Sequence, residues 1–335
     1  MVKLAKKAVA LVSGGLDSTL AVKLMLEQGV EVVGLYLSAP WGCCDKTKAL
    51  KAAKELGIPF MVVKLTQEYI RVIRRPKYGY GSSMNPCVDC RIYMFHKARE
   101  LMGEVGASFV VTGEVLAQRP MSQMRHSLRV IERDAGLDRL IVRPLSAKLL
   151  PATLPEEQGV IDREKMQDIS GRSRKKQMEL AIRFGIVDYP NPAGGCLLTD
   201  KEFGNRVRDL FEHQEEIDLE DMELLRLGRH FRLNGRTKLI VGRDERENAT
   251  LKEYLRPGRQ LYVAVEFPGP SVLLQGDQTD ETRRFALALI ARYSRSEKRP
   301  AGSGVSCFVG VSGAAPERVP LGPEVQDEVL ERMKV

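Results

Sequence analysis

The stretch Ser13-Gly14-Gly15-Leu16-Asp17-Ser18 decides the fold of the first half of this chain. It follows a short apolar run, residues 8–12, which predicts a buried parallel strand. It leads into residues 19–26, whose apolar positions have helical spacing. A strand, a glycine turn and a helix start bring backbone N–H groups and the positive end of a helix dipole to one place. The stretch therefore predicts an anion site, most naturally for phosphate.

Strands and helices alternate through the rest of the first half. Further strands are predicted over residues 30–37, 59–65, 109–113 and 140–142, and helices over residues 45–56, 91–102 and 174–184. This rhythm predicts an α/β fold, a doubly wound parallel sheet. Ligands of such sheets bind at the carboxyl ends of the strands. The glycine turn and the pair Cys43-Cys44, in the loop after the second strand, are expected at that edge.

Length and composition limit the class of protein. With 335 residues, the chain is long enough for two domains, and 43% hydrophobic with 29% charged residues is typical of globular proteins. No apolar run reaches the length of a membrane span or of a signal peptide, so we expect a cytoplasmic protein without a membrane partner. A net charge of +8 favours a polyanionic partner. Six cysteines without a signal peptide indicate metal or sulfur chemistry more than a disulfide framework.

Composition changes in the second half. Residues 212–223 contain seven acidic residues and no Lys or Arg, and residues 226–259 contain ten basic residues against four acidic ones. We therefore predict a first domain over residues 1–205, an acidic linker helix over 206–225 and a basic, smaller α+β domain over 226–335.

Three cysteines lie where chemistry is expected. Cys87-x-x-Cys90 sits where a Gly-, Pro- and Ser-rich loop meets a helix, and Cys196 lies in a separate glycine-flanked loop. One hypothesis is a [4Fe-4S] cluster on all three thiolates, with one iron left open. A second is a redox pair, Cys90 and Cys196, that carries persulfide sulfur. A third is a structural zinc site that also uses Cys43-Cys44, which is less favoured because those two residues are adjacent rather than spaced. Cys307 is interpreted as a packing residue.

The opening hexapeptide resembles the PP-loop of ATP pyrophosphatases, which cleave ATP between the α- and β-phosphates. The resemblance implies ATP and Mg²⁺ as cofactors, with Asp17 helping to place the metal. It also implies nucleotide contacts at the ends of the second and fourth strands. The implied nucleotide-binding residues are Ser13, Gly14, Gly15, Leu16, Asp17, Ser18, Leu37 and Gly113.

The cysteine spacing resembles that of tRNA thiouridine synthetases. In that family an Asn-Pro-containing stretch carries one catalytic cysteine and a second follows about a hundred residues later, which Cys90 and Cys196 match. Iron–sulfur-dependent members hold a cluster with three cysteines, which Cys87, Cys90 and Cys196 match. Residues 112–123 (TGEVLAQRPMSQ) and 143–150 (RPLSAKLL) strengthen the likeness to the 4-thiouridine-synthetase-like group. Unlike the 4-thiouridine synthetases, this sequence is expected to lack a THUMP domain and a rhodanese-like domain.

The second half resembles the RNA-binding domain of NFACT proteins, through residues 228–233 (GRHFRL), 241–248 (VGRDEREN) and 267–272 (FPGPSV). Together the resemblances imply an ATP-dependent tRNA sulfurtransferase that adenylates a uridine oxygen and replaces it with sulfur, giving 4-thiouridine or 2-thiouridine. Asp17, Cys90 and Cys196 would be catalytic. The implied partners are tRNA and a sulfur donor, either free sulfide or a cysteine desulfurase or carrier protein, and a homodimer is compatible with the sequence.

Two other functions fit parts of the sequence. A PP-loop ligase acting on a small molecule would use the cysteines for structural zinc, and the basic second half would then be a surface feature. A non-enzymatic RNA-binding protein would use the PP-loop only to sense nucleotide, a role that leaves the cysteines unexplained. Arg143 and Lys148 are candidates for neutralising phosphate, and residues 172–176 (RSRKK) for RNA contact, each against an ordinary structural role.

Overall fold

A computed structural model describes residues 3–39, 41, 46–189, 196–295, 303–309, 316–321 and 323–335. Cys43 and Cys44 lie outside the described residues, so the predictions for them stay predictions. The chain divides into two compact units, Met1–Asp200 and Lys201–Val335.

The first unit is built on a five-stranded sheet in the order β3-β2-β1-β4-β5, in which every pair is parallel. The strands are β1 (Lys7–Leu11), β2 (Glu31–Ser38), β3 (Phe60–Lys64), β4 (Phe109–Thr112) and β5 (Ile141–Val142). The predicted doubly wound parallel sheet is confirmed. Strand order reverses between β1 and β4, and the register pairs Leu11 with Thr112, so these two strands end together. That edge is where such folds bind ligands.

Helices lie between and after the parallel strands. They are α1 (Leu16–Leu26), α2 (Lys46–Glu55), α3 (Gln67–Arg74), α4 (Cys87–Val105), α5 (Arg125–Asp134), α6 (Leu154–Glu157) and α7 (Lys175–Arg183). The helices α3 and α6 have no counterpart in the sequence-based assignment, and α4 begins four residues before its predicted start. The helix α4 is followed by Gly106 in the left-handed conformation, with φ 68°, which ends it as glycine commonly does.

The second unit is an α+β domain with a six-stranded antiparallel sheet in the order β11-β10-β8-β9-β7-β6. Its strands are β6 (Arg229–Arg232), β7 (Lys238–Val241), β8 (Arg259–Ala264), β9 (Ser271–Gln275), β10 (Gly304–Val309) and β11 (Glu317–Pro320). Its helices are α8 (Lys201–His213), α9 (Leu219–Leu224), α10 (Glu245–Glu253), α11 (Asp280–Tyr293) and α12 (Asp327–Met333).

Residues 206–225, predicted as one acidic linker helix, are instead the end of α8, a non-helical connection and α9. All of them belong to the second unit. Asp218 caps α9 by accepting a hydrogen bond from the Asp221 backbone at 2.8 Å, which starts a new helix at this point. Among the described residues, no helix is both long enough and apolar enough to cross a membrane.

Candidate active site

The glycine turn after β1 is organised by its own serines. The Ser18 hydroxyl donates to the Gly15 carbonyl at 2.9 Å, and the Ser13 backbone N–H donates to the Ser18 hydroxyl at 3.3 Å. The Gly15 N–H in turn donates to the Ser13 hydroxyl at 3.3 Å. Gly15 is the N-cap of α1, and no side chain caps this helix. The first N–H groups of α1 therefore remain available for an anion.

Two glycines allow close packing around this turn. Gly14 has φ +76°, a conformation that favours glycine, and a Cβ there would lie 2.6 Å from the Ala49 nitrogen of α2. At the end of β4, a Cβ on Gly113 would lie 2.5 Å from the backbone of Asp17 and Ser18. Gly113 is therefore required for β4 to pack against the start of α1, whatever its contact with a nucleotide. Leu37, predicted to contact nucleotide, is buried in β2.

Asp17 sits in a buried polar cluster that the sequence did not predict. Its Oδ2 accepts a hydrogen bond from Gln118 at 3.1 Å, while its Oδ1 is buried without a hydrogen-bond partner among the described residues. Burial raises the pKa of the Asp17 carboxyl, against the opposing effects of the Gln118 hydrogen bond and the charge of Arg174. Gln177, at the start of α7, is fully buried close to Asp17.

The atoms around Asp17 indicate a missing ligand. Within the described part of the chain, neither amide atom of Gln177 nor the buried Nε of Arg174 has a hydrogen-bond partner. Leaving such groups unsatisfied costs roughly 1–3 kcal/mol each, so native folds normally pair them. A carboxylate oxygen beside an arginine and an amide suits a cation that carries phosphate oxygens. The donor set therefore fits Mg²⁺ and a polyphosphate at this turn.

Cys87 and Cys90 lie in the first turn of α4. Asn85 positions Cys87, because its Nδ2 donates to the Cys87 Sγ at 3.2 Å while its Oδ1 accepts from the Ser83 N–H at 3.0 Å. The Cys90 Sγ lies 3.0 Å from the Tyr69 hydroxyl. Burial raises the pKa of the Cys90 thiol to about 11, although the hydrogen bond with Tyr69 acts in the opposite direction.

The third thiol, Cys196, lies within electrostatic range of the second. The charges of Cys196 and Cys87 each add to the rise in the pKa of Cys90, so both thiols are close enough to repel a thiolate there. None of the three forms a disulfide. Cys307, by contrast, is buried in the hydrophobic core of the second unit. The structure thus brings together the three cysteines that the sequence singled out.

Aromatic rings enclose Cys90 on one side. Trp41 stacks on Tyr69 with ring centroids 5.6 Å apart, and Tyr69 packs against Tyr93 at 5.2 Å. Tyr93 holds its own hydroxyl away from the thiol by donating to Glu68 at 3.1 Å. No sequence pattern predicted this cluster, apart from the position of Trp41 just before the Cys43-Cys44 pair.

The described residues contain no group of three or more His, Cys, Asp or Glu side chains arranged to hold a metal ion. Cys87, Cys90 and Cys196 are all described and form no disulfide, and they would be the ligands of a cluster. Their thiolates are chemically suitable for iron and sulfide. No step below is derived through a cluster.

Two basic residues proposed for phosphate have carboxylate partners. Arg143 is buried, its Nε donating to Glu114 at 3.1 Å and its Nη1 to Glu132. Lys148 donates to Glu164 at 3.0 Å. The Arg91 side chain, next to Cys90 in sequence, lies 3.4 Å from the other oxygen of Glu114.

The basic residues of the second unit are partly neutralised. Five of the ten between residues 226 and 259 form ion pairs, namely Arg232 and Lys238 with Asp209, Arg243 with Glu247, and Arg256 and Arg259 with Asp221. Two of these five residues therefore pair with the acidic stretch, through Asp221, whereas Asp209 and Glu247 lie outside that stretch. The other five form no ion pair with a described residue: Arg226, Arg229, Arg236, Arg246 and Lys252. About half of the local basic charge is therefore available to a polyanion.

The three motif stretches of the second unit meet in space. The Gly228 N–H donates to Glu247 at 3.2 Å, which joins the first stretch to the second. Asn248 accepts a hydrogen bond from the Ser271 N–H at 2.8 Å, which joins the second to the third. These residues hold the fold of the unit, so their pattern indicates its architecture rather than direct contact with RNA.

Known protein families match a segment in each half of the chain. Residues 4–148 match the family model "Thiamine biosynthesis protein (ThiI)", and residues 228–305 match "NFACT protein RNA binding domain". A tRNA-specific 2-thiouridylase MnmA from Geobacter metallireducens is 29% identical over 234 residues, covering 62% of this chain and 59% of that protein. The chain therefore spans less than two thirds of that relative.

A second MnmA, from Petrotoga mobilis, is 25% identical over 293 residues, covering 80% of this chain and 74% of that protein. A solved 4-thiouridine synthetase in complex with RNA and ATP gives a TM-score of 0.34 at 21% identity, covering 54% of this chain and 51% of that one. A TM-score this low does not establish a common fold. The family matches confirm the resemblances predicted from the motifs: residues 4–148 are similar to the ThiI family, and residues 228–305 are similar to the NFACT RNA-binding domain.

Proposed function

We propose that this protein is an ATP-dependent tRNA thiolase, which adenylates a uridine carbonyl oxygen and replaces that oxygen with sulfur. The observation that supports this most is the cysteine arrangement: Cys87 and Cys196 both lie within electrostatic range of Cys90, in the unit that carries the PP-loop. In a small-molecule ligase these thiols would serve only a structural zinc ion, whereas thiolation uses them in the reaction itself. The ThiI match supports ATP as the activating substrate, and the NFACT match supports RNA as the acceptor.

The activation step uses the turn after β1. The free N–H groups at the start of α1 would bind the leaving pyrophosphate, and Asp17 would hold Mg²⁺ through its unpaired Oδ1. The metal would neutralise charge on the phosphates. The uridine oxygen attacks the α-phosphate and pyrophosphate leaves. Activation is needed because a carbonyl oxygen is a poor leaving group, whereas AMP is a good one; the protein contributes orientation and charge stabilisation.

The sulfur step uses Cys90 and Cys196, one carrying a persulfide received from a donor. The terminal sulfur attacks the activated carbon, AMP departs with the oxygen, and the carbon is joined to the protein through a disulfide. The thiolate of the other cysteine attacks the protein-side sulfur, which releases the thiolated base and leaves a Cys90–Cys196 disulfide. The two thiols supply the two electrons that reduce the transferred sulfur, and an external thiol restores them.

A [4Fe-4S] cluster on Cys87, Cys90 and Cys196 stays a prediction. It would supply an open iron as a place for sulfide. The persulfide route needs only Cys90 and Cys196, which lie within electrostatic range of each other. Anaerobic reconstitution tests the cluster directly: absorbance near 400 nm with about four irons per chain supports it, and colourless protein without iron rejects it.

The proposed function is tested with the full chain, unmodified tRNA, ATP, Mg²⁺ and a persulfide donor. Two measurements are made: tRNA-dependent exchange of pyrophosphate into ATP, and mass analysis of the nucleosides. We expect Cys90→Ser and Cys196→Ser to keep exchange and to lose thiolation, since they remove sulfur chemistry but not adenylation. Cys307→Ala, a buried cysteine of the second unit, is the control and should retain both.

Cys87→Ser separates the two sulfur routes. The persulfide route predicts that this variant keeps thiolation within about threefold, because its Sγ is not a reacting atom; a cluster predicts loss. If exchange does not require tRNA, or if Cys196→Ser thiolates tRNA fully, the proposed function is wrong.

A further inference from the structure

A cavity of about 80 Å³ lies in the first unit between α5, β5 and α6. A single water needs only roughly 10–15 Å³, so a tetrahedral oxyanion fits. It is lined by four arginines, two glutamates, one threonine and six apolar residues. The charged lining residues are Arg125, Arg129, Glu132, Arg139, Arg143 and Glu156. Neither the loop of residues 13–18 nor any of the cysteines lines it.

The two carboxylates of the cavity already have partners. Glu132 accepts from Arg143, and Glu156 accepts from Arg163 at 2.6 Å and from the Thr153 hydroxyl at 2.6 Å. Arg125 and Arg129, by contrast, are exposed and form no ion pair with any residue that the structure describes. They lie four residues apart on α5, so both project from the same helix face. The cavity therefore presents uncompensated positive charge.

Arg143 adds a buried donor. Its side chain is only 3% exposed, and although Nε and Nη1 bind carboxylates, Nη2 is buried without a hydrogen-bond partner among the described residues. A buried guanidinium N–H left unpaired costs more than an ordinary one, so an acceptor is expected at this position. Since Arg143 lines the cavity, that acceptor would come from a ligand in it.

The start of α5 reinforces the same polarity. Met124 is its N-cap with no side-chain cap, and the first turn has no acidic residue but begins with Arg125. A basic residue at a helix N-terminus opposes the helix dipole, an arrangement that a bound anion would relieve.

An ion-pair chain connects this cavity to the cysteine site. Arg91, which follows Cys90, pairs with Glu114, and Glu114 pairs with Arg143. Glu114 follows β4 and Arg143 follows β5, so these ion pairs run along the carboxyl ends of two neighbouring strands.

We propose that this arginine cavity binds one backbone phosphate of the RNA substrate, held by Arg125, Arg129 and the free N–H of Arg143. The inference rests on the proposed function in taking RNA as the substrate. Guanidinium groups bind phosphate oxygens in pairs with good geometry, and an RNA phosphate offers two non-bridging oxygens that accept from them. Such a contact fixes the position of the RNA without reading its sequence.

The test uses Arg125→Ala/Arg129→Ala in the full chain, with Arg71→Ala/Arg183→Ala as the control. The control pair is exposed, helical and in the same unit, and it removes the same charge away from the cavity. Binding of unmodified tRNA is measured by fluorescence anisotropy between 50 and 200 mM salt, without ATP. We expect the cavity variant to bind about tenfold more weakly and to lower the slope of log K against log salt by about 1, the value for one phosphate. The control variant should lower this salt slope by less than the cavity variant does.

A second arm uses inorganic phosphate against chloride at equal ionic strength. Phosphate should raise the melting temperature of the wild type, and the shift should disappear in the cavity variant. Equal effects of the two double variants on RNA binding would overturn the proposal, because only general electrostatics would remain. Loss of the phosphate shift with an unchanged RNA slope would also overturn it, since the cavity would then serve a free phosphate compound. Since neither arm measures thiolation, failure of the proposed function leaves these outcomes readable.

Discussion

The Tyr69→Phe substitution tests how the fold controls the reactivity of Cys90. The pKa of Cys90 is about 11, so at pH 7.5 roughly one molecule in 3,000 carries the thiolate. A free cysteine with a pKa near 8.5 has about 300 times more. The more basic thiolate is intrinsically more nucleophilic by about tenfold, given a Brønsted coefficient of roughly 0.4–0.5. Wild-type Cys90 should therefore react with a small disulfide about thirtyfold more slowly than free cysteine.

Removing the Tyr69 hydroxyl should slow Cys90 further. The hydroxyl lies 3.0 Å from the Cys90 Sγ, and this hydrogen bond lowers the pKa of the thiol because it stabilises the thiolate. A hydrogen bond to a charged group contributes about 1.5–3 kcal/mol, which corresponds to a pKa higher by about one to two. The more basic thiolate of the variant is also more nucleophilic, which offsets part of this effect. The reaction rate of Cys90 at pH 7.5 should therefore be about fourfold to tenfold lower in Tyr69→Phe than in the wild type.

The assay is reaction with 4,4′-dithiodipyridine from pH 6.5 to 10, with the modified cysteine identified by mass spectrometry. Tyr93→Phe is the matched control, because its ring packs in the same cluster while its hydroxyl donates to Glu68 instead of the thiol. It should leave the Cys90 rate within about twofold. Two results would show that burial and Tyr69 do not control Cys90 in this way. One is a wild-type Cys90 that reacts as fast as free cysteine, and the other is a Tyr69→Phe rate equal to or above that of the wild type.

Four further predictions concern the turn after β1 and the core of the second unit. Burial raises the pKa of Asp17, so its negative charge destabilises the ligand-free fold above about pH 4. Asp17→Asn should therefore stabilise the ligand-free protein by about 1 kcal/mol in chemical unfolding and weaken Mg²⁺-dependent ATP binding at least tenfold. Unchanged stability of the variant would contradict the proposed burial of a charged carboxylate. Gly14→Ala should weaken ATP binding and lower the melting temperature, since its Cβ would lie 2.6 Å from the α2 backbone; a fully active variant would show that the turn adapts. Asp209→Ala should lower the free energy of unfolding of the second unit in urea by about 3–5 kcal/mol, because it leaves the cations of Arg232 and Lys238 without their carboxylate. Lys238→Met leaves Asp209 paired with Arg232 and should cost less than about 2 kcal/mol. Equal losses in the two variants would argue against a shared ion-pair cluster. The hydrogen bonds and charges of its cationic partners lower the pKa of Asp209 to about 2 despite its burial. The stability that Asp209 contributes is therefore present above about pH 4 and should be lost as the pH falls from 4 to 2. Calorimetry should detect this loss in the wild type and not in Asp209→Ala.

Local patterns were enough to predict the first sheet. The apolar runs at β1 and β4 and the helical spacing of α1 are properties of neighbouring residues, so strand, turn and helix could be assigned from sequence. The helix α3 escaped prediction because it lies beside a Gly-, Pro- and Ser-rich stretch that suggested a loop. The charge contrast of the second half was visible, but its meaning was not: half of the basic residues there pair with acidic ones.

The hexapeptide at residues 13–18 and the three cysteines could be recognised without coordinates, because their chemistry depends on residue type and short spacing. The groups that surround them are known only from the folded chain. Gln118 reaches Asp17 across 101 positions, and Gln177 is buried there with unpaired amide atoms. Tyr69 meets Cys90, and Arg143 closes a cavity with residues of α5. Such contacts depend on strand order and helix packing, which bring distant segments together, so no local pattern in the chain encodes them.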